Sequence, residues 1–311
     1  MTVADSRAGA GRSVRLPTGA AAAAVLLFVS AYAAPAQPAT PASGQAGQVV
    51  IAPDAPVQGD TLAIFVHSAA GSAVTVRFNG SPVQAFPTAE GAWRALRGTD
   101  PDTPPGPYAV AVVITPPGGG PSITVRRSVT IGSTQFEARH LTLPTGTVSL
   151  ITPKNLSIEW TALNAVLSRR TPQPLWRGPF QMPVTGLVDS PYGYMGFYNG
   201  VREWWHQGVD FPEPAGSPVA AANSGLVVLA QPLPLGGDTV VIDHGQGVLT
   251  EYLHLSAFLV HPGQRVAQGD PIAKIGATGL VTGPSLHWGL YVNGHWVNPL
   301  FWTTARPGLT D

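Results

Sequence analysis

At 311 residues the chain has room for two domains of ordinary size. Its 36 glycines and 32 prolines, against 11% charged residues, favour short strands joined by turns over long solvated helices. A formal net charge of zero offers no electrostatic grip on nucleic acid or on an anionic membrane, and the absence of cysteine excludes disulfide staples, thiolate metal ligands, a cysteine nucleophile and a lipoprotein anchor. Any metal site must therefore be built from histidine and carboxylate.

Residues 1–33 read as a signal peptide. Arg7, Arg12 and Arg15 make a basic start, Gly19 to Ala31 is uncharged and mostly apolar, and Ala31-Tyr32-Ala33 is a small-x-small cleavage pattern. The apolar run is short for a membrane-spanning helix, so the expectation is export, cleavage near Ala33 and no stable membrane insertion afterwards. Residues 34–47, rich in Ala, Pro, Gln, Ser, Thr and Gly, form a linker without apolar periodicity.

From 48 to 132 short alternating or apolar runs predict strands at Thr61–Val66, Ala73–Phe78, Tyr108–Ile114 and Ile123–Ile131. Asn79-Gly80 and the stretch Pro116 to Pro121 punctuate them. Strands at this spacing predict a small immunoglobulin-like β-sandwich. His67 is its only histidine and is expected to pack or to face solvent.

The connecting segment 133–176 carries one helix, predicted over 153–168. Thr152 can cap it, Pro153 suits its first position, and Leu156, Trp160, Leu163 and Leu167 line one face. Arg169 and Arg170 fall at its C-terminal end, where cations are favoured. It reads as a packing helix that braces the domains, with no catalytic role.

Residues 177–311 return to β structure. Apolar runs at Gly225–Ala230, Thr239–Asp243, Val248–Leu255, Pro271–Ile275 and Leu286–Val292 alternate with glycine-rich turns, and Asn293-Gly294 signals a tight hairpin. Six of the eight histidines lie between positions 206 and 295. A cysteine-free catalytic zinc site uses two histidines and a carboxylate, with the fourth position left for water. His206 and Asp210, four residues apart in extended chain, can face the same side. Such a pair alone is weak evidence, and a third ligand must come from elsewhere. His287 lies in the apolar strand Leu286–Leu290, where a lone histidine is more often simply packed.

The set taken together resembles a known family. Trp205-His-Gln-Gly-Val-Asp-Phe211, Glu251-Tyr-Leu-His-Leu-Ser256 and Gly283-Pro-Ser-Leu-His-Trp-Gly289 occur in the order of the signature segments of lysostaphin-type (LytM-like) zinc endopeptidases of bacterial cell walls. Gly276-Ala-Thr-Gly279, Gly216 to Gly225 and Gly263 to Asp270 fit the same pattern, and the resemblance covers about residues 178–302. It implies a compact two-sheet antiparallel β domain with a zinc-floored groove. Carried over, it makes His206, Asp210 and His287 the Zn2+ ligands and His254 a catalytic histidine that does not touch the metal.

One position departs from the family pattern. Where the third segment normally reads His-x-His, this chain has Ser285, and a hydroxyl does not ionise near neutral pH. It can still orient water or donate a hydrogen bond; Tyr194, Tyr198 and Arg202 are further candidate oxyanion donors. The resemblance implies an exported zinc metalloendopeptidase acting on peptidoglycan peptides in the periplasm or extracellular wall. The alternative is a weak or inactive module that binds wall or regulates a partner wall hydrolase. No nucleic-acid partner is expected. His244, His261 and His295 are expected to be exposed, and Trp204, Trp205, Trp288, Trp296 and Trp302 mainly to pack the core.

Overall fold

The computed structural model describes residues 47–88, 92–306 and 308–310; the expected signal peptide, and the linker up to its last residue, lie outside them. The side chains of Thr145, Tyr198, Val201, Arg202 and Glu203 are likewise outside the description.

Period-two alternation builds the first part of the chain. Strands β1 (Val49–Ala52), β2 (Thr61–His67), β3 (Ala73–Phe78), β4 (Ser81–Val83), β5 (Ala85–Pro87), β6 (Ala92–Gly98), β7 (Gly106–Thr115) and β8 (Ile123–Ile131) form two four-stranded sheets. Their orders are β1-β2-β6-β5 and β4-β3-β7-β8, with every neighbouring pair antiparallel. Asn79 and Gly80 both take positive φ, 46° and 85°, as a two-residue hairpin turn between β3 and β4 requires. Leu62, Ile64 and Val66 of β2 meet Val76, Phe78, Val110 and Val112 of the other sheet in one core.

The opposite face of β2 is buried too. Ala63, with Leu96 of β6, belongs to a second core shared with Trp176, Trp302 and the C-terminal strands, and Phe65 packs against it. Burial on both faces is why β2 reads as a continuous apolar run. Trp302 Nε1 donates to Thr61 Oγ1 at 3.1 Å, and Arg94 donates twice to Gln246 Oε1, at 2.9 and 2.7 Å. Gly98 lies so close to the hairpin beyond it that a Cβ there would meet His295 and Val297 at 2.8 Å.

A connecting segment follows with β9 (Ala138–Leu141), the single turn α1 (Thr145–Val148) and α2 (Pro153–Leu167). Thr152 caps α2 by accepting from the Asn155 N–H, and Arg170 donates to the Leu167 carbonyl at the other end, as the sequence predicts. Leu167 is buried against Leu229, Leu233, Val241 and Leu249, with Leu163 and Val166 packed alongside. The predicted stripe divides, however: Leu156 and Trp160 line a cleft, and Trp160 is 50% exposed.

β10 (Met195–Tyr198) joins β9 in parallel and β11 (Val201–Trp205) antiparallel in a three-stranded sheet. The remaining strands make a nine-stranded antiparallel network: β12 (Gly208–Phe211), β13 (Pro218–Ala220), β14 (Gly225–Leu233), β15 (Gly237–Gly245), β16 (Val248–Phe258), β17 (Arg265–Val266), β18 (Pro271–Ile275), β19 (Leu286–Val292) and β20 (His295–Val297). The long β16 runs beside β15 on one edge and changes partner on the other. It pairs with β19 up to Leu253, opposite His287, and with β18 from Leu255, opposite Ile275. His254 stands at the change of partner.

His244, expected near the surface, is fully buried. Its two ring nitrogens meet the Ser224 carbonyl and Thr250 Oγ1, both at 2.8 Å, and Phe180 packs edge-on against it. Those partners come from β16 and from loops elsewhere in the chain, which the local sequence Ile242-Asp-His-Gly245 does not reveal. His295 is also partly buried, between Arg97 and Asp100 of the sandwich, whereas His261 is exposed as expected.

Burial pushes the His244 imidazole down to about 4, with the bond to Ser224 opposing. The unfolded chain, with an ordinary value near 6.5, takes up this proton first as pH falls. His244 therefore contributes stability above about pH 6.5 that is lost between there and about pH 4. The loss is on the order of 3 kcal/mol. In urea titrations over this window, His244→Gln should lose less stability than the wild type; parallel losses would refute the buried neutral imidazole.

Candidate active site

β12 and β19 run antiparallel with Asp210 directly opposite His287. His206 lies just before β12 and is held by its own N–H to the Tyr194 carbonyl at 2.9 Å. Gly208 permits this approach, since a Cβ there would meet the Trp288 carbonyl at 2.4 Å and His287 Nε2 at 2.6 Å. The glycine of His-Gln-Gly-Val-Asp is thus a packing requirement of the site.

Three atoms converge. His206 Nε2 is 3.1 Å from both Asp210 Oδ1 and His287 Nδ1, and His287 Nδ1 is 2.8 Å from Asp210 Oδ1. The other ring nitrogens are engaged outward: His206 Nδ1 donates to the Pro191 carbonyl at 2.8 Å, and His287 Nε2 faces Glu251 Oε1 at 3.6 Å. These outer partners select tautomers in which both inward nitrogens carry lone pairs aimed at one point beside a carboxylate oxygen. Tetrahedral zinc ligands about 2.0–2.2 Å from the ion stand roughly 3.3–3.6 Å apart, close to the triangle already formed. The donor set fits a divalent cation of the zinc type.

Burial lowers the His287 pKa, but the hydrogen bond to Asp210 and the Glu251 carboxylate outweigh it and raise it to about 9. Burial would raise Asp210, yet the His206 and His287 imidazoles hold it well below the usual carboxylate range.

Glu251 is nearly fully buried, opposite Gly289 in the β16–β19 ladder. A Cβ at position 289 would meet the Glu251 side chain at 2.9 Å, so the glycine makes room for that carboxylate. Sequence reasoning missed its role, although an acid inside the apolar run Val248 to Leu255 was a usable signal.

His254 has φ 64°, a left-handed conformation that costs a non-glycine residue of order 1–2 kcal/mol. Its N–H donates to the Gly236 carbonyl at 2.8 Å, its carbonyl accepts from Gly276 at 3.0 Å, and its Nδ1 donates to the Thr278 carbonyl at 2.9 Å. This leaves Nε2 as the ring's acceptor. Burial, reinforced by the neighbouring His287 charge, lowers the imidazole to about 4 and keeps it neutral. Its ring centroid is 6.4 Å from that of His287.

A cleft of about 590 Å³ contains all four residues together with Glu251 and Ser285. Ser285 forms a bridge to Gly276, its N–H on that carbonyl at 3.2 Å, and places a hydroxyl on the wall. Tyr194 lines the cleft and packs over the His206 ring at 4.5 Å, while the side chains of Tyr198 and Arg202 are outside the described residues. Trp204 and Trp296 also line it, whereas Trp288 and Trp302 are core.

Residues 205–299 match the profile of Peptidase family M23. They form a peptidase family M23 domain. Over 95 residues the chain is 47% identical to the peptidoglycan DD-endopeptidase ShyA of Vibrio cholerae, covering 30% of this chain and 22% of that protein. Over 126 residues it is 38% identical to the DD-carboxypeptidase/endopeptidase Mpg of Neisseria gonorrhoeae, covering 40% and 29%. The match thus spans less than a third of either relative. A solved Pseudomonas aeruginosa structure described as a peptidase M23 superposes with a TM-score of 0.59 at 27% identity, over 80% of this chain and 95% of that one. That likeness reaches well upstream of the M23 domain.

Proposed function

We propose that this protein is an exported zinc metalloendopeptidase that hydrolyses peptide bonds of bacterial peptidoglycan. The observation that carries the reading is the convergence of His206 Nε2, His287 Nδ1 and Asp210 Oδ1 on one point of the cleft, with His254 across it. The names of the M23 relatives direct the substrate to peptidoglycan and the cleavage to the DD-endopeptidase class. Within the chain, 1–33 would serve as signal peptide, 34–47 as linker, 48–132 as a sandwich that positions the peptidase or contacts the wall, 133–176 as connector and 177–311 as the peptidase domain. The setting is periplasm or cell wall; among the described residues no helix is long and apolar enough to cross a membrane.

His206, Asp210 and His287 would hold the ion, whose chemistry when bound is Lewis acidity toward water and the scissile carbonyl. His254, neutral and with Nε2 free to accept, takes the proton released as water attacks and returns it to the departing amine. The three bonds that fix His254 keep its ring oriented without rearrangement during the reaction. Glu251 holds His287 in the tautomer that presents Nδ1 inward. The Ser285 hydroxyl can donate to the developing oxyanion but cannot supply a second imidazolium charge.

The test is mass spectrometry of fragments released from purified peptidoglycan by zinc-loaded residues 35–311. New peptide amino termini identify an endopeptidase and the bond it cuts. Intact peptidoglycan from protein with zinc bound would replace this reading with a non-catalytic wall-binding or regulatory module.

A further inference from the structure

Helix α2 lies outside the M23 domain, yet its residues Leu156, Glu159, Trp160 and Leu163 line the cleft. The stripe Leu156, Trp160 and Leu163 includes Glu159 on the same face, three residues from Leu156 and four from Leu163. Glu159 Oε2 accepts from the Leu235 N–H at 2.8 Å and Oε1 from the Gly236 N–H at 2.9 Å. These two amides belong to the turn between β14 and β15. A Cβ at Gly236 would stand 3.0 Å from Glu159 Oε1 and 2.8 Å from Thr239 Oγ1, so the turn is shaped to admit the carboxylate.

That turn is also what His254 leans on. The Gly236 carbonyl accepts the His254 N–H at 2.8 Å, and the Leu235 carbonyl accepts the Leu280 N–H at 2.7 Å. Leu280 follows Thr278, whose carbonyl holds the His254 ring. The left-handed backbone of His254 persists only while its surroundings fix it. Helix α2 fastens the turn from the solvent side: Leu163, Val166 and Leu167 anchor its C-terminal half to the sheet, and Glu159 reaches the turn from its N-terminal half. A carboxylate bound to two amides makes a stronger and more directional clamp than apolar packing.

We propose that Glu159 is a positioning residue for His254, acting through the Leu235–Gly236 turn, so that the connecting helix is part of what prepares the peptidase site. The functional half of this inference rests on the peptidase reading; the structural half does not.

The experiment compares full-length zinc-loaded wild type with Glu159→Ala, Glu159→Gln and Leu167→Ala, the last loosening α2 while keeping the carboxylate. Three quantities are read: kcat and KM on a cross-linked muropeptide, hydrogen exchange at the Leu235, Gly236 and His254 amides, and zinc content. Glu159→Ala should lower kcat about 10- to 100-fold with KM little changed, speed exchange at all three amides and leave zinc content unaltered. Glu159→Gln keeps one carbonyl acceptor and should recover part of the rate. Leu167→Ala should lower the melting temperature with a smaller loss of kcat. Unchanged exchange at His254 in Glu159→Ala overturns the proposal. So does a rise in kcat, which would mean the helix occludes the cleft, or a kcat loss that merely follows melting temperature across both helix variants. If the wild type cleaves nothing, the peptidase reading fails, and exchange at His254 still decides whether Glu159 holds it.

Discussion

Replacing His254 is expected to lower the rate of peptide hydrolysis by about 10²- to 10⁴-fold while leaving metal uptake intact. The imidazole Nδ1 is committed to the Thr278 carbonyl, so the acid–base work falls to Nε2 of a ring kept neutral by burial. None of the three convergent atoms of His206, Asp210 and His287 belongs to it. Asparagine is the informative substitution, because it tolerates the left-handed backbone that His254 adopts and so removes the imidazole without adding strain. Steady-state rates on a purified muropeptide and zinc content by elemental mass spectrometry check the two halves separately. A His254→Asn variant that cleaves at the wild-type rate would exclude His254 from proton transfer. Among the described residues lining the cleft the only other imidazoles are those of His206 and His287, so the loss should fall toward the upper part of that range.

Where the pattern is local, the sequence carried the fold well. Ala73–Phe78, Ile123–Ile131, Pro271–Ile275 and Leu286–Val292 coincide with β3, β8, β18 and β19, because each is an alternating or apolar run closed by turn residues. Helix α2 was legible from its cap, its proline and its stripe. The grouping of His206, Asp210 and His287 was expected from the resemblance, and the structure brings the three side chains together. What escaped depends on pairing across the chain. Ala138–Leu141 has no alternation of its own and becomes a strand only by running beside β10. His244 read as an exposed residue because its partners, Ser224 and Thr250, arrive from the end of the loop before β14 and from β16. Glu251 and Glu159 each stand as a single acid among apolar neighbours. That is a sign of a specific buried partner, but not of which one.

Removing the cluster's carboxylate should have the largest effect of all. Asp210→Ala takes away the only anionic donor of the three and leaves two imidazoles aimed at the same point. Zinc should no longer copurify, and hydrolysis should fall at least as far as in the His254 variant, since attack by water then lacks both the ion and its proper placement. A readout independent of activity is thermal: an ion that binds only the folded chain stabilises it by about 4 kcal/mol at roughly 1,000-fold excess over its Kd. For a chain of this size that corresponds to about 6 °C in melting temperature. Wild type should show that rise on adding zinc and lose it with a chelator, whereas Asp210→Ala should show neither. The fold itself should survive, because the β12–β19 ladder is held by backbone pairs from Gly208 to Phe211 that do not involve the side chain. A zinc-dependent rise of equal size in Asp210→Ala would place the ion elsewhere and dissolve the argument for a catalytic metal in this cleft.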